Sequence, residues 1–455
     1  MDKQEALEEE QYRKMAQTPV PRLIISLSIP TIISMLVTNI YNTADTYFVS
    51  RLGTSAAGAV GIVFALMAFY QAVGFTCGHG SGSFVSRLYG EKEPEKAFSY
   101  GNSAFLMSLV LGAVISVVCF CFLNPLLMFL GSTETILPYA RQYAFWILLA
   151  GPLLSASCTL NNLLRYEGRA FYAMIGLTVG GIMNMAGDPI FMFVFKMGVS
   201  GAGLSTALSQ LVSFLILLSM FFTDRTVMKF RPAYVSRTRS IYTDVLKIGS
   251  PSLARQGLSA LSTILLNRAA KPYGDPAIAA MSIVGRLAFF IAAVGIGMGQ
   301  GLQPVASFNF GAGKYSRVKE GTYFTTAAGT LAMSVFAILV LIFTEPIITW
   351  FRDDPEVIAI GTVALRYQCL SSFFMPASFC ANMLFQSVGR AREAFTMACM
   401  RTGIFYIPLI LLLPRALGIT GIEITQPIAD LLTAAVSIFL ALRFMRSLPE
   451  DRTEA

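Results

Sequence analysis

Three carboxylates lie deep inside apolar segments of this 455-residue chain: Asp45, Asp188 and Asp430. A charge near a bilayer centre costs roughly 2.5–3.5 kcal/mol or more, so such residues face cavities or partners and commonly carry function. Asp188 stands in GGIMNMAGDPIFMFVFKMGVSGAGLST, residues 180–206, with Asn184 on the same helical face and Pro189 directly after it. Pro189 weakens the helix there by removing a backbone donor. Asp45 stands in SIPTIISMLVTNIYNTADTYFVS, one helical turn after Tyr41. Two carboxylates close together in low dielectric do not both ionise readily, so such a pair binds a proton. Joined by the Asn184 carbonyl and a hydroxyl such as Thr206, the same pair would instead ligate Na⁺. Each acid also has a plainer reading. Asp45 would snorkel or cap near the outer end of its span, since Arg51 and Gly53 follow, and Asp188 would bond backbone groups freed beside Pro189. Asp430, in QPIADLLTAAVS, reads as a structural ion pair, with Arg255 and Arg286 available to neutralise it.

The elements that hold these acids must be membrane helices. Hydrophobic residues make up 55% of the chain and charged ones 13%, and mean hydropathy is +0.63. A soluble chain of this length needs far more polar surface. The apolar runs reach the ~20 residues that span a bilayer, and the short alternating strands of a barrel are absent. The formal charge of +8 is not a nucleic-acid signature; its distribution reports topology. No cleavable signal peptide is visible, because the first 22 residues mix Glu5, Glu8, Glu9 and Glu10 with Arg13 and Lys14. They read as a short amphipathic helix on the membrane surface or as a solvated tail. The seven cysteines fall in apolar segments without metal-site spacing and read as small core residues. His79, the single histidine, sits in GFTCGHGSG. One histidine makes neither a His-based metal site nor a proton chain, and packing is its expected role. With no nucleophile motif either, an enzyme is not expected.

Twelve apolar segments follow, at about 23–49, 57–86, 98–123, 136–163, 169–195, 200–223, 241–269, 277–305, 318–345, 357–387, 394–414 and 420–446. The polar, basic stretch 224–240 divides them into two sets of six. The expected organisation is a tail at 1–22, a first lobe at 23–223, a linker at 224–240, a second lobe at 241–446 and a tail at 447–455. The lobes repeat at an offset of 221: Pro30 with Pro251, Gly53 with Gly274, Gly74 with Gly295, Gly78 with Gly299, Gly90 with Gly311, and Gly168-Arg169-Ala170 with Gly389-Arg390-Ala391. An even number of spans per lobe makes the repeat parallel, about an axis along the membrane normal. Of the 34 Lys and Arg residues, 24 lie at the termini, the even-numbered loops and their adjoining span ends, which puts both termini and the linker in the cytoplasm. The glycines at 74, 78, 80 and 82, and their mates at 295, 297, 299 and 301, read as close helix packing, compatible with flexing there.

The duplicated plan and the motifs SIPTIISMLVTNIYNTADTYFVSRLG, GSGSFVSRLYGEKEPEKA, NMAGDPIFMFVFKMGVSGAG and MGQGLQPVASFNFGAGKYSRVKEG resemble the multidrug and toxic compound extrusion (MATE) family, most strongly its bacterial MepA-like and DinF-like branches. The resemblance spans Pro30 to about Arg443. It implies an all-α polytopic protein of two six-helix bundles related by a pseudo-twofold axis. It also implies a plasma-membrane antiporter that exports organic cations or amphipathic toxic compounds in exchange for H⁺ or Na⁺, with no other cofactor. The expected partners are drug-like small molecules and membrane lipids, not nucleic acid, and the expected state is a monomer. Carried over by position, the cation site maps to Asp45, Asn184, Asp188 and Thr206, with Tyr41, Tyr143 and Asn161 at polar positions near it. Another branch carries acids in its seventh and tenth spans where this chain has Ser259 and Met375, so coupling is expected in the first lobe. A flippase for lipids or lipid-linked oligosaccharides is the alternative. It is weakened by the scarcity of deep cations, Arg255 and Arg286.

Overall fold

The computed structural model describes residues 3–223 and 225–452. Among the described residues every regular element is helical. The first half comprises α1 (Lys3–Gln17), α2 (Val20–Ser50), α3 (Thr54–Gly90), α4 (Pro94–Cys121), the short α5 (Leu123–Phe129), α6 (Leu137–Tyr166), α7 (Ala170–Pro189) and α8 (Val199–Met220). The second comprises α9 (Arg239–Ala270), α10 (Asp275–Gly311), α11 (Tyr315–Ile342), the short α12 (Thr344–Phe351), α13 (Pro355–Ser372), α14 (Met375–Ser387), α15 (Ala391–Cys399), α16 (Tyr406–Leu417) and α17 (Ile419–Ser447). A π turn extends α7 at Ile190–Val194, and another joins α15 to α16 at Met400–Ile404. Ten of these helical stretches are long and apolar enough to cross a membrane, and α13 with α14, bent by 53°, makes an eleventh. The bend falls just before Pro376, which cannot donate to the preceding turn. The seventh expected segment, α9, is 32 residues long but carries too many polar groups to meet the same apolarity. The chain is thus a multi-pass membrane protein.

The repeat is a structural one. α3 and α10 each run 37 residues, and α4 and α11 each run 28. Positive φ recurs at matched turns: Gly53 and Gly274, Lys92 and Gly313, Gly168 and Gly389, Gly198 and Gly418. The left-handed backbone is cheap for glycine, so only Lys92 in this set departs from the residue the turn favours. Asn161 Nδ2 donates to the Ala173 carbonyl at 2.9 Å, and its mate Asn382 donates to Ala394 at 2.8 Å. The glycine stripes permit close helix contact: a Cβ on Gly74 would stand 2.5 Å from the Ser155 carbonyl, and one on Gly299 would stand 2.5 Å from Met383 Sδ.

Two compact units emerge. One joins the residues through Gln17 to Ile33–Gly249; the other joins Thr18–Ile32 to Ser250–Ala455. The divisions therefore fall inside α2 and α9, just after Pro30 and just before Pro251, not within 224–240. Each proline removes one intrahelical hydrogen bond at that point.

The N-terminal segment is a helix, and it is not a solvated tail. Met15, Ala16 and Gln11 are buried, Lys14 Nζ donates to the Gly168 carbonyl at 3.0 Å, and Gln4 Nε2 donates to Val227 at 2.9 Å. Stretch 225–240 likewise lies against the first unit. Asn102 Nδ2 donates to the Lys229 carbonyl at 2.9 Å, Arg231 N donates to Asn102 Oδ1 at 3.1 Å, and Ser236 N donates to Ser103 Oγ at 2.9 Å. Glu167 anchors this arrangement from beyond the end of α6. Its Oε1 accepts from Met228 N at 2.6 Å and from the Tyr89 hydroxyl at 3.2 Å. Burial pushes the Glu167 carboxyl up to about 7, against the Met228 N–H and Arg169, which favour the charged form. The native state then keeps a proton that the unfolded chain releases near the ordinary value of 4.5, so stability falls as pH rises from about 4.5 to about 7. Amide exchange at 227–229, corrected for its intrinsic rate, is expected to quicken between pH 5 and pH 8 in the intact protein and to be flat in Glu167→Gln. The same pH dependence in both would refute the anchor.

Candidate functional site

Small residues bring α2, α6, α7 and α8 together around the two acids of the first unit. A Cβ on Gly181 would stand 2.9 Å from the Tyr41 ring, one on Gly187 2.6 Å from Ser205 Oγ, and one on Gly203 3.2 Å from the Tyr143 carbonyl. Pro189 carries no N–H, so the last turn of α7 loosens into the π turn, a local form common at functional positions. Ser205 Oγ turns to this weakened stretch and donates to the Asn184 carbonyl at 3.1 Å. In this way the sequence Asn-Met-Ala-Gly-Asp-Pro presents both polar side chains of α7 to α8.

The side chains then meet. Asn184 Nδ2 lies 3.3 Å from Asp188 Oδ1, 3.2 Å from Thr206 Oγ1 and 3.5 Å from Ser205 Oγ. The Tyr143 hydroxyl donates to Asp45 Oδ2 at 3.0 Å and also interacts with Thr206, which links the two pairs. Asp188 stands close enough to Asp45 to feel its charge. Asp188, Asn184, Thr206, Tyr143 and Tyr41 are all buried. Asp45 Oδ1 and Asp188 Oδ2 are buried acceptors without a hydrogen-bond partner among the described residues. A buried carboxylate oxygen left bare is costly, so each calls for a proton or a cation.

Six of the seven residues expected here are therefore gathered: Asp45, Asn184, Asp188, Thr206, Tyr143 and, one turn from Asp45 on α2, Tyr41. Asn161 is not. It lies about 27 Å from Tyr143 along α6 at 1.5 Å per residue, and its amide serves the repeated α6–α7 bond to Ala173. Sequence reasoning missed Ser205 and also Gln210, whose side chain meets the Tyr41 hydroxyl. Ser205 adjoins Thr206, and Gln210 follows Thr206 by one turn, so both were visible as polar residues of α8. Asp45 is no helix cap and no snorkelling group, since its partner is Tyr143 of α6. Among the described residues no three His, Cys, Asp or Glu side chains form a metal cluster. A bound ion would thus be held by two carboxylates with neutral oxygens, a hard set suited to Na⁺ once the Asn184 amide turns Oδ1 inward.

Asp430 is an ion pair, but with a partner other than those expected. Arg401 Nε donates to its Oδ1 at 2.7 Å. Gln426 donates to Oδ1 at 2.8 Å, and Gln368 and Ser371 stand 3.2 and 3.4 Å from Oδ2. Arg255 instead points its Nη1 at Asn382 Oδ1, 3.4 Å away, and Arg286 is exposed. Arg401 lies inside the span Ala391–Leu417. His79 is fully buried between the Phe75 and Tyr166 rings, at 5.6 and 6.3 Å. Ser259 is exposed and Met375 is buried.

A family model described as MatE matches residues 30–190 and again 251–412. The chain belongs to the MatE family. Both matches begin at the prolines that open the repeat, so each unit of the duplication carries one copy. The chain is similar to "Multidrug export protein MepA" of Staphylococcus haemolyticus, at 26% identity over 98% of both chains, and to the protein of that name from Staphylococcus aureus (strain MSSA476), at 25% over 98% of this chain and 99% of that one. Its fold matches that of a MATE protein crystallised with MaL6, with TM-score 0.91, 23% identity and coverage of 96% and 98%. It also matches a MOP-superfamily transporter from Pyrococcus furiosus, with TM-score 0.91, 23% identity and the same coverage.

Proposed function

We propose that the chain is a secondary active multidrug efflux antiporter that exports organic cations or amphipathic compounds in exchange for H⁺ or Na⁺. In this reading it is a monomer of the bacterial plasma membrane with both termini in the cytoplasm. One observation carries the proposal: two neighbouring acids, Asp188 buried and Asp45 half-buried, each keep a buried oxygen without a partner, within a helix bundle whose relatives are named multidrug export proteins. Entry of H⁺ or Na⁺ at Asp45 and Asp188 draws α2 toward α7 and α8, and Pro30 supplies a point at which α2 bends. Coupling follows only because the cation favours one conformation over the other. The plain test is ethidium efflux from vesicles under an imposed proton or sodium gradient. Export driven by one gradient names the ion. No export under either would reject multidrug antiport and turn attention to lipid flipping.

A further inference from the structure

The second unit contains a basic site with chemistry opposite to that of the acids. Arg401 spends one donor, Nε, on Asp430 Oδ1. Among the described residues its two terminal amino groups make no hydrogen bond, and the guanidinium lies over the Phe379 ring, 5.2 Å from its centroid. The Arg401 side chain is 26% exposed, whereas that of Asp430 is 0% exposed. The arginine is therefore open at its surface and the acid is closed. Asp430 is closed in any case, because Gln426, Gln368 and Ser371 occupy the positions that Arg401 leaves. Those three donors share the compensation of Asp430, so the guanidinium keeps attraction for a second anion. Its unused edge is the planar fork that fits a carboxylate.

The backbone is special at this point. Arg401 sits in the π turn Met400–Ile404, whose repeat-equivalent, residues 179–183, lies within regular α7. The extra residue in a π turn rotates side chains relative to an unbroken helix. Thr402 and Gly403 face α9, through Ser262 and Leu258, and Arg401 turns to α14 and α17.

We propose that Arg401 and Phe379 form a subsite for the carboxylate of an aromatic amphipathic substrate. The inference rests on the reading that the chain handles amphipathic compounds, but not on which cation drives it. The test uses the purified full chain in detergent without a gradient, with fluorescence anisotropy of rhodamine 110, which carries a free carboxylate, and of rhodamine 123, its methyl ester. The acid is expected to bind roughly tenfold or more tightly than the ester, the effect of one charge-assisted contact. Arg401→Gln combined with Asp430→Asn keeps the network neutral and is expected to bring the ratio to about one by weakening binding of the acid. Arg401→Lys, which keeps the charge but loses the fork, is expected to fall between. Equal binding of both dyes by the unaltered chain, or a preference that survives the double substitution, overturns the subsite while leaving the transport reading standing. Binding of neither dye overturns both. An acid preference without gradient-driven efflux sinks the antiport reading alone.

Discussion

Asp188→Asn is expected to abolish gradient-driven ethidium export while the unfolding temperature stays the same or rises. The buried Asp188 carboxylate faces the charge of Asp45, and its Oδ2 has no partner among the described residues. Removing the charge deletes the attraction for a cation, a loss of ~1.5–3 kcal/mol or roughly 10- to 150-fold in cation affinity. The same change removes a buried charge that has no cationic partner, so about 1–3 kcal/mol of desolvation cost disappears. Asn184 still finds an acceptor at Oδ1, so the α7–α8 contact survives. Vesicle efflux and thermal unfolding of the same preparation decide the matter. Retained efflux sinks the coupling assignment, and a clear loss of stability would mark Asp188 as a structural residue. Gain of stability with loss of activity is the expected signature of a group kept for function.

Arg401→Ala should behave in the opposite way. It leaves Asp430 charged, buried and without its counter-ion, a cost of about 3–5 kcal/mol. The double change Arg401→Gln with Asp430→Asn removes both charges and is expected to restore most of that loss, because amides still satisfy Gln368, Gln426 and Ser371. Denaturant or thermal unfolding of Arg401→Gln, Asp430→Asn and the double variant closes the cycle. Equal destabilisation by Arg401→Ala and by the double variant would show that the pair is not the source of the effect. The two buried acids thus separate by physics: Asp188 lacks a cationic partner and should be stabilised by neutralisation, whereas Asp430 has one and should be destabilised by its removal.

Much of the fold and the site lies in the order of residues. Apolar runs of spanning length, the constant register from Pro30 and Pro251 onward, and the glycines that later take positive φ are all one-dimensional facts. The acids were legible for the same reason, since a carboxylate within an apolar run stands out wherever it later points. Asn184 followed from helical spacing, and Thr206 stood out as a hydroxyl candidate in the next span. Asn161 went astray because position along a helix says nothing about depth relative to another helix: on α6 it sits far from Tyr143 and belongs to a bond that the repeat builds twice. The N-terminal segment was equally undetermined. Its mixed charge suits a free tail, yet Met15 and Lys14 find partners at Gly168 that no local pattern announces.

The sequence by itself determined that the chain is a duplicated bundle of membrane helices with acids placed inside them, because hydropathy, repeat register and charge position need no third dimension. Only the tertiary structure decided which groups meet. Asp45 is reached by Tyr143 and Asp430 by Arg401 rather than Arg255 or Arg286, because partner choice depends on how far each helix is rotated and how deep each residue sits. The π turn at Met400–Ile404 sets that rotation for Arg401, and a single extra residue within a turn leaves no mark in an apolar run.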